Sequence, residues 1–268
     1  MKNKYFNDAI IGGKDITASY TNHGELLRLM YNTPDFRQFL DFFHTGVKVN
    51  DSCIIYLHDD QNNRYNQYYT EDTNVLNTEI ENTYFNLEIK QIDFVSMKNN
   101  VLIKRYILKN NNIIDLNVNF LMHSKLLSNS NNMVGSKIEN NVLLQYSHNS
   151  TMCMFSKNNI NAHQLNDTDN NIGSGIIHDK DYIGMSSDSS INYELGVIKP
   201  GETKELDIYL YVFENDKVSV EEMWKKVENL RKLDVAADQV ATQRYWKKYV
   251  KDHINIELKE ETSEYNKK

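Results

Sequence analysis

The spacing of apolar residues predicts a mainly β protein, a large antiparallel sandwich followed by C-terminal helices. Three observations carry that prediction. First, Ile114, Leu116, Val118, Phe120 and Met122 alternate with Asp115, Asn117, Asn119 and His123, the period-2 pattern of a strand with one buried face. Second, Leu206, Ile208, Leu210 and Val212 repeat that period while Tyr209, Tyr211 and Phe213 fill the opposite face. Such a strand is expected to be covered on both sides. Third, the period turns helical after Asp216, and both tryptophans, Trp224 and Trp246, fall in that part.

The remaining strands follow in order. Thr83, Phe85, Leu87 and Ile89 form another stripe, after which Ile92 and Phe94 fall out of phase; a bulge near Gln91 is expected to restore the register. Residues 101–108, 142–146, 152–155 and 182–185 are further short strand candidates, divided by Asn, Gly and Ser turns. Lys199-Pro200-Gly201-Glu202 reads as a turn, because Pro presets φ and Gly accepts positive φ. No regular strand–helix alternation exists, which argues against a parallel doubly wound sheet.

At the C-terminal end, Ser219-Val220-Glu221-Glu222 is a capping box, and Val220, Met223, Trp224, Val227 and Leu230 follow at helical spacing. A second helix is expected from Asp234, with Trp224 and Trp246 as packing anchors and an apolar patch on the free side of residues 234–250. We place the sandwich in residues 1–216, the helices in 217–253, and a charged tail, expected to be disordered, in 254–268.

Composition narrows the function. The net charge is −7 and no long basic cluster is present, which argues against nucleic acid and against anionic membrane surfaces. The basic start lacks an apolar run behind it, and no segment approaches the ~20 apolar residues of a membrane-spanning helix. Cys53 and Cys153, the two cysteines, sit in strand-like contexts and read as buried free thiols. A cytoplasmic location is expected. The Asn excess reads as turn residues and coding bias.

No convergent set of catalytic side chains is visible in the sequence. His58-Asp59-Asp60 and Glu71-Asp72, near Tyr56, Tyr65, Tyr68 and Tyr69, are the acidic candidates for glycoside chemistry, yet adjacent acids in Asn-rich stretches read as solvated loops. The eight histidines are scattered, without helical metal spacing or any Cys-x-x-Cys. His123 reads as a partly buried strand residue. Gly173-Ser174-Gly175 and Gly12-Gly13 are turns, not phosphate loops or nucleophile elbows. The sequence therefore assigns no catalytic, cofactor-binding or metal-ligating residue, and no cofactor.

A family resemblance adds to this. The opening Asp8-Ala9-Ile10-Ile11-Gly12-Gly13 through Thr21-Asn22-His23-Gly24-Glu25-Leu26 resembles the start of family 15 glycoside hydrolases. Leu29-Met30-Tyr31 through Asp35-Phe36 resembles the segment that follows in that family, with Asn32-Thr33-Pro34 where a proline often comes earlier. His44-Thr45-Gly46-Val47 and Asn77-Thr78-Glu79-Ile80 look like the bacterial glucoamylase-like branch, and Thr242, Tyr245, Trp246 and Tyr249 look like its linker helix. The resemblance implies a galactose-mutarotase-like super-β-sandwich and linker helices packed on an α/α barrel. That barrel would carry two catalytic Glu residues and hydrolyse α-glucosidic bonds with inversion. No segment here fits the barrel, so this chain is expected to be non-catalytic, with the barrel as partner and α-glucan as the ligand the pair would share. A stand-alone carbohydrate-binding module or mutarotase-like domain is the alternative, and a dimerisation domain a third.

Overall fold

The computed structural model describes residues 7–32, 38–52, 54–127, 133–168 and 174–253. Along the chain, β1 (Ala9–Gly12), β2 (Ile16–Tyr20) and β3 (Leu26–Tyr31) form a three-stranded sheet. β4 (Leu40–Val49) and β5 (Ile54–Tyr56) follow as a hairpin, then β6 (Asn63–Tyr69), β7 (Leu76–Asn82), β8 (Leu87–Val95) and β9 (Leu102–Asn110) as a meander. β10 (Leu116–Leu126), β11 (Val134–Glu139), β12 (Val142–Ser147), β13 (Ser150–Phe155), β14 (Ala162–Leu165), β15 (Ser189–Ile198) and β16 (Thr203–Glu214) complete the strands, and α1 (Val220–Arg231) and α2 (Val235–His253) end the described chain. The larger sheets have the orders β14-β15-β10-β4-β5 and β11-β12-β13-β16-β9-β8-β7-β6, with antiparallel pairing throughout.

The two sheets bury their inner faces in one core. Val47, Val118, Phe120, Met122, Ile191 and Tyr193 come from the five-stranded sheet. Leu102, Tyr106, Leu108, Leu206, Ile208 and Leu210 meet them from the eight-stranded sheet, and Ile11, Ile16 and Tyr20 close one end. The alternation read along β10 and β16 is thus the alternation of the core. Tyr209 and Phe213 of β16 enter a second apolar layer with Met223, Val227 and Leu230 of α1 and Val235 of α2.

Two strand expectations are corrected. β8 runs from Leu87 to Val95 in unbroken register with both neighbours, so there is no bulge at Gln91. Leu87, Ile89 and Val95 face the inter-sheet core, whereas Ile92 and Phe94 face the helices, so both faces are apolar. The phase was obscured because inward positions 91 and 93 hold polar residues. Asp93 accepts hydrogen bonds from Lys104 Nζ at 2.7 Å and Gln91 Nε2 at 2.6 Å, all three fully buried. Burial raises the Asp93 carboxyl and lowers the Lys104 amine from their ordinary values, and each charge opposes the shift in the other. Lys104 Nζ also lies 4.7 Å from the centre of the Tyr20 ring, a cation–π contact inside the core. The second correction concerns residues 182–185, which are not a strand. Ile183 and Met185 are exposed there, without a neighbouring ladder to supply backbone partners.

Turn chemistry explains the asparagines. Every described non-glycine residue at positive φ is Asn or Asp, including Asn50, Asp51, Asn86, Asn140 and Asn141. These side chains tolerate the left-handed region, so they take positions that glycine would otherwise fill. The Pro200 turn forms as read, with Glu202 N donating to Lys199 O at 2.9 Å and Gly201 at φ 78°.

The helix start is also as read. Ser219 Oγ accepts from Glu222 N, and the Glu222 carboxylate accepts from Ser219 N at 2.9 Å. Arg231 donates to the carbonyls of Asn140 and Asn141, and Lys157 Nζ to that of Leu233 at 2.6 Å, fastening α1 to the eight-stranded sheet. α2 docks through Val235, Asp238 and Thr242, its buried positions, and Asn99 donates to Asp238 at 3.3 Å. Beyond Thr242 it leaves Tyr245 and Tyr249 exposed, with Trp246 half-buried between them. The expected apolar patch is therefore present on the free side of α2. Trp224 is a partly buried packing residue against α1's core layer, as read. Cys153 is a buried free thiol, pushed up to about 12 by burial; Cys53 and the tail 254–268 lie outside the described residues.

Candidate functional site

The outer face of the five-stranded sheet collects the histidines that sequence spacing left scattered. Phe43, Thr45 and Val47 of β4 point into the sandwich, so Phe42, His44 and Gly46 face outward. Asn50 and Asp51, both at positive φ, turn the chain, and Ser52 N donates to Val49 O at 2.9 Å. Gly46 pairs with Tyr56, and the Leu57 N to Thr45 O bond carries that register outward. Two further residues along, His58 stands opposite His44, and their rings stack with centroids 4.8 Å apart. On the other side, His123 of β10 pairs directly with His44. Tyr56 sits between them, its ring centroid 5.7 Å from that of His58 and 6.1 Å from that of His123.

Glu25 reaches this group from the β2–β3 turn. Thr21 N donates to Glu25 O, Gly24 N to Thr21 O, and Gly24 adopts φ 81°. Gln91 Nε2 donates to Gly24 O at 2.8 Å, so the buried polar network of β8 anchors the turn. A Cβ at Gly24 would come within 3.1–3.2 Å of Thr78 and Gln91, so strain and crowding together hold glycine there. Glu25 Oε1 then lies 3.3 Å from His44 Nε2 and 4.0 Å from His58 Nε2. His23, stacked on Tyr65 with centroids 4.1 Å apart, places Nδ1 3.2 Å from His58 O.

The environments differ sharply across this group. His44, His58 and Glu25 are partly exposed. His123 is fully buried, not partly so as its strand position implied, and its Nδ1 hydrogen-bonds Ser190 Oγ of β15. Its Nε2 has no hydrogen-bond partner among the described residues. Burial, with the neighbouring His44, lowers the His123 pKa to about 4, so it is neutral at pH 7. Burial also raises the Tyr56 phenol. The backbone at Gly175 lies over Lys48, Ile54 and Leu121, covering the middle of the same face.

The acidic clusters singled out from sequence are not brought into such an arrangement. Asp60 Oδ1 accepts from Asn62 N at 2.8 Å in the turn before β6, and Asp59 is exposed. Glu71 and Asp72 are exposed in the β6–β7 turn, Asp72 at φ 56°. Both clusters serve as turns. A separate apolar cavity of about 410 Å³ lies beside α1, lined by Leu144, Tyr146, Phe213, Val218, Met223 and Trp224. Its charged members, Lys137 and Glu139, pair with each other at 2.5 Å. The cavity belongs to the helix-packing layer and gathers no reactive groups.

No family model matches the chain. A protein from Methanocaldococcus jannaschii named as an uncharacterized glycosyl hydrolase is 26% identical over 275 residues. That alignment covers 96% of this chain and 42% of the relative, so the chain spans less than half of the relative's length. Among solved structures, a bacterial glucoamylase complexed with acarbose matches with a TM-score of 0.69 and 13% identity, over 92% of this chain and 37% of that one. A protein assigned as a kojibiose phosphorylase, from the human microbiome, matches at TM-score 0.61 over 90% and 35%. An assigned aldose 1-epimerase of Escherichia coli K12 matches at TM-score 0.51 and 8% identity, over 77% of this chain and 98% of the epimerase. No described helix is long and apolar enough to cross a membrane. The chain has an antiparallel sandwich fold that resembles the mutarotase-like fold, and the likeness spans about a third of the glucoamylase and phosphorylase chains.

Proposed function

We propose that this chain is the non-catalytic sandwich portion of a glucoamylase-like family 15 glycoside hydrolase, built to pack on and support a catalytic α/α barrel. The likeness to the bacterial glucoamylase over 92% of the chain carries this reading, because the strands end at Glu214 and the match must therefore reach into the helical segment. The epimerase, a whole protein, matches only 77% of the chain, about the size of the sandwich alone. The difference in coverage supports the reading that the helical segment goes with the longer hydrolase-like proteins. In the proposed complex, Tyr245, Trp246 and Tyr249 of α2 meet the barrel, and an inverting reaction on α-glucan takes place there. The work of this chain would then be mechanical: a rigid two-sheet platform with an aromatic edge.

The test is a pair of substitutions. Tyr245→Ser and Tyr249→Ser are expected to change the stability of this chain by less than about 0.5 kcal/mol in urea unfolding, because they remove no packed core. The same changes should weaken association with a glucoamylase-type α/α barrel supplied in trans. A loss of more than about 2 kcal/mol in this chain alone would show that these tyrosines are internal packing groups and would overturn the proposal.

A second reading rests on the histidine cluster: the sandwich acts alone as a sugar-binding or mutarotase-like domain. Polarimetry of freshly dissolved α-glucose and α-galactose distinguishes it. Accelerated mutarotation, abolished by His58→Ala, would favour the second reading, and an unchanged rate favours the first.

A further inference from the structure

We propose that Glu25, His44 and His58 form a Zn2+ site that clips the β2–β3 turn to the β4–β5 hairpin. Three potential ligand atoms, one from each residue, lie within 4.8 Å of one another, and Glu25 Oε1 is already 3.3 Å from His44 Nε2 and 4.0 Å from His58 Nε2. A tetrahedral Zn2+ with bonds of about 2.0–2.1 Å holds its ligand atoms roughly 3.3–3.4 Å apart. One pair therefore stands at ligating separation, and closing the others needs only a small side-chain adjustment.

The side chains are set in place by separate parts of the fold. His44 is fixed on a central strand and sandwiched between Phe42 and His58, with ring centroids 5.1 and 4.8 Å away. His58 is placed by the hairpin register, and its carbonyl is in contact with His23 Nδ1. Glu25 is placed by a turn that Gln91 and the positive φ of Gly24 lock. An ion bound here would join the three-stranded sheet to the five-stranded sheet across chain segments about 20 to 30 residues apart, where closing a loop removes unfolded-state entropy.

The donor set selects the ion. Two imidazole nitrogens and one carboxylate oxygen suit Zn2+, with Co2+ and Ni2+ as weaker substitutes, whereas Ca2+ and Mg2+ prefer oxygen ligands alone. The three side chains keep 27%, 12% and 18% exposure for His44, His58 and Glu25, which leaves room for water as a fourth ligand. Ligation needs both imidazoles neutral and the carboxylate ionised, so protons compete with the ion and binding should weaken in acid.

The test uses the whole 268-residue chain, stripped with chelator and titrated with Zn2+ in competition with a chromophoric chelator. One equivalent should bind with Kd below about 10 µM, and His44→Gln or Glu25→Gln should each weaken it at least about 10-fold. His163→Ala, beside Asp179 and Asp181 on β14, is the control and should leave affinity unchanged. Absence of binding up to 1 mM, or binding lost in His163→Ala but kept in the other variants, would overturn the site. Should the Gln variants fail to fold, Co2+ titration of the native chain decides. Intense visible bands of four-coordinate Co2+, with perturbed resonances of His44 and His58, support the site; a weak six-coordinate spectrum, or perturbation of other histidines only, contradicts it.

Discussion

The outer faces of the two large sheets are opposites. On the eight-stranded sheet the outward positions of β8, β9, β13 and β16 are Ile92, Phe94, Ile103, Cys153, Phe155 and Tyr209, and α1 seals them from water. On the five-stranded sheet the outward positions include His44, Tyr56, His123 and Ser190, and neither described helix is part of that layer. The two sheets share one core, so the contrast is not about folding the sandwich. The helix-covered face is invested in packing, whereas the histidine face gathers polar and titratable side chains.

The packing side is where the largest loss is expected. Leu230→Ala removes a buried anchor of α1 and should cost roughly 3 kcal/mol, within the ~2–5 kcal/mol seen for such truncations, measured by urea unfolding. A loss under about 1 kcal/mol would mean that α1 is only loosely applied and would break the comparison.

The histidine side should show itself in pH. His123 has a folded pKa of about 4 against roughly 6.5 in the unfolded chain, so the unfolded state takes up the proton first. Stability from keeping this ring neutral is fully present above about pH 6.5 and is lost as pH falls toward 4. The difference between these two values corresponds to about 3 kcal/mol. The difference in stability between native protein and His123→Gln should therefore shrink by that order between pH 7 and 4. A difference independent of pH would show that His123 binds its proton equally well in the folded and unfolded chain, so that burial does not hold it neutral.

A smaller effect belongs to the helix entrance. Ser219→Ala breaks the capping box and should cost about 1 kcal/mol, read as a drop of a few degrees in melting temperature. No change would mean that α1 is held by its buried face alone.

The fold was largely legible, because alternation in β10 and the two-sided pattern of β16 translate directly into core and cover. The capping box at Ser219 was legible for the same reason: its chemistry is local. β8 misled because Gln91 and Asp93, facing inward, look like solvent positions until Lys104 is known to sit opposite them in the core. The histidine cluster was not legible from helical metal spacing, since it is assembled by cross-strand register. A signal did exist. His44 and His58 stand equally far on either side of Asp51, and Asn50-Asp51 is a hairpin turn of the kind that brings such positions face to face. Glu25 had no local signal, because its place depends on the contact between the Gly24 turn and Gln91 across the sheet.

The proposal that this chain supports hydrolysis without performing it is tested most directly by glucose release from maltotriose with the purified 268-residue protein. The expected result is no release above the buffer rate, with or without Zn2+. Glucose formed in proportion to protein concentration, and lost on Glu25→Gln, would place a working active site on the histidine face and contradict the supporting role.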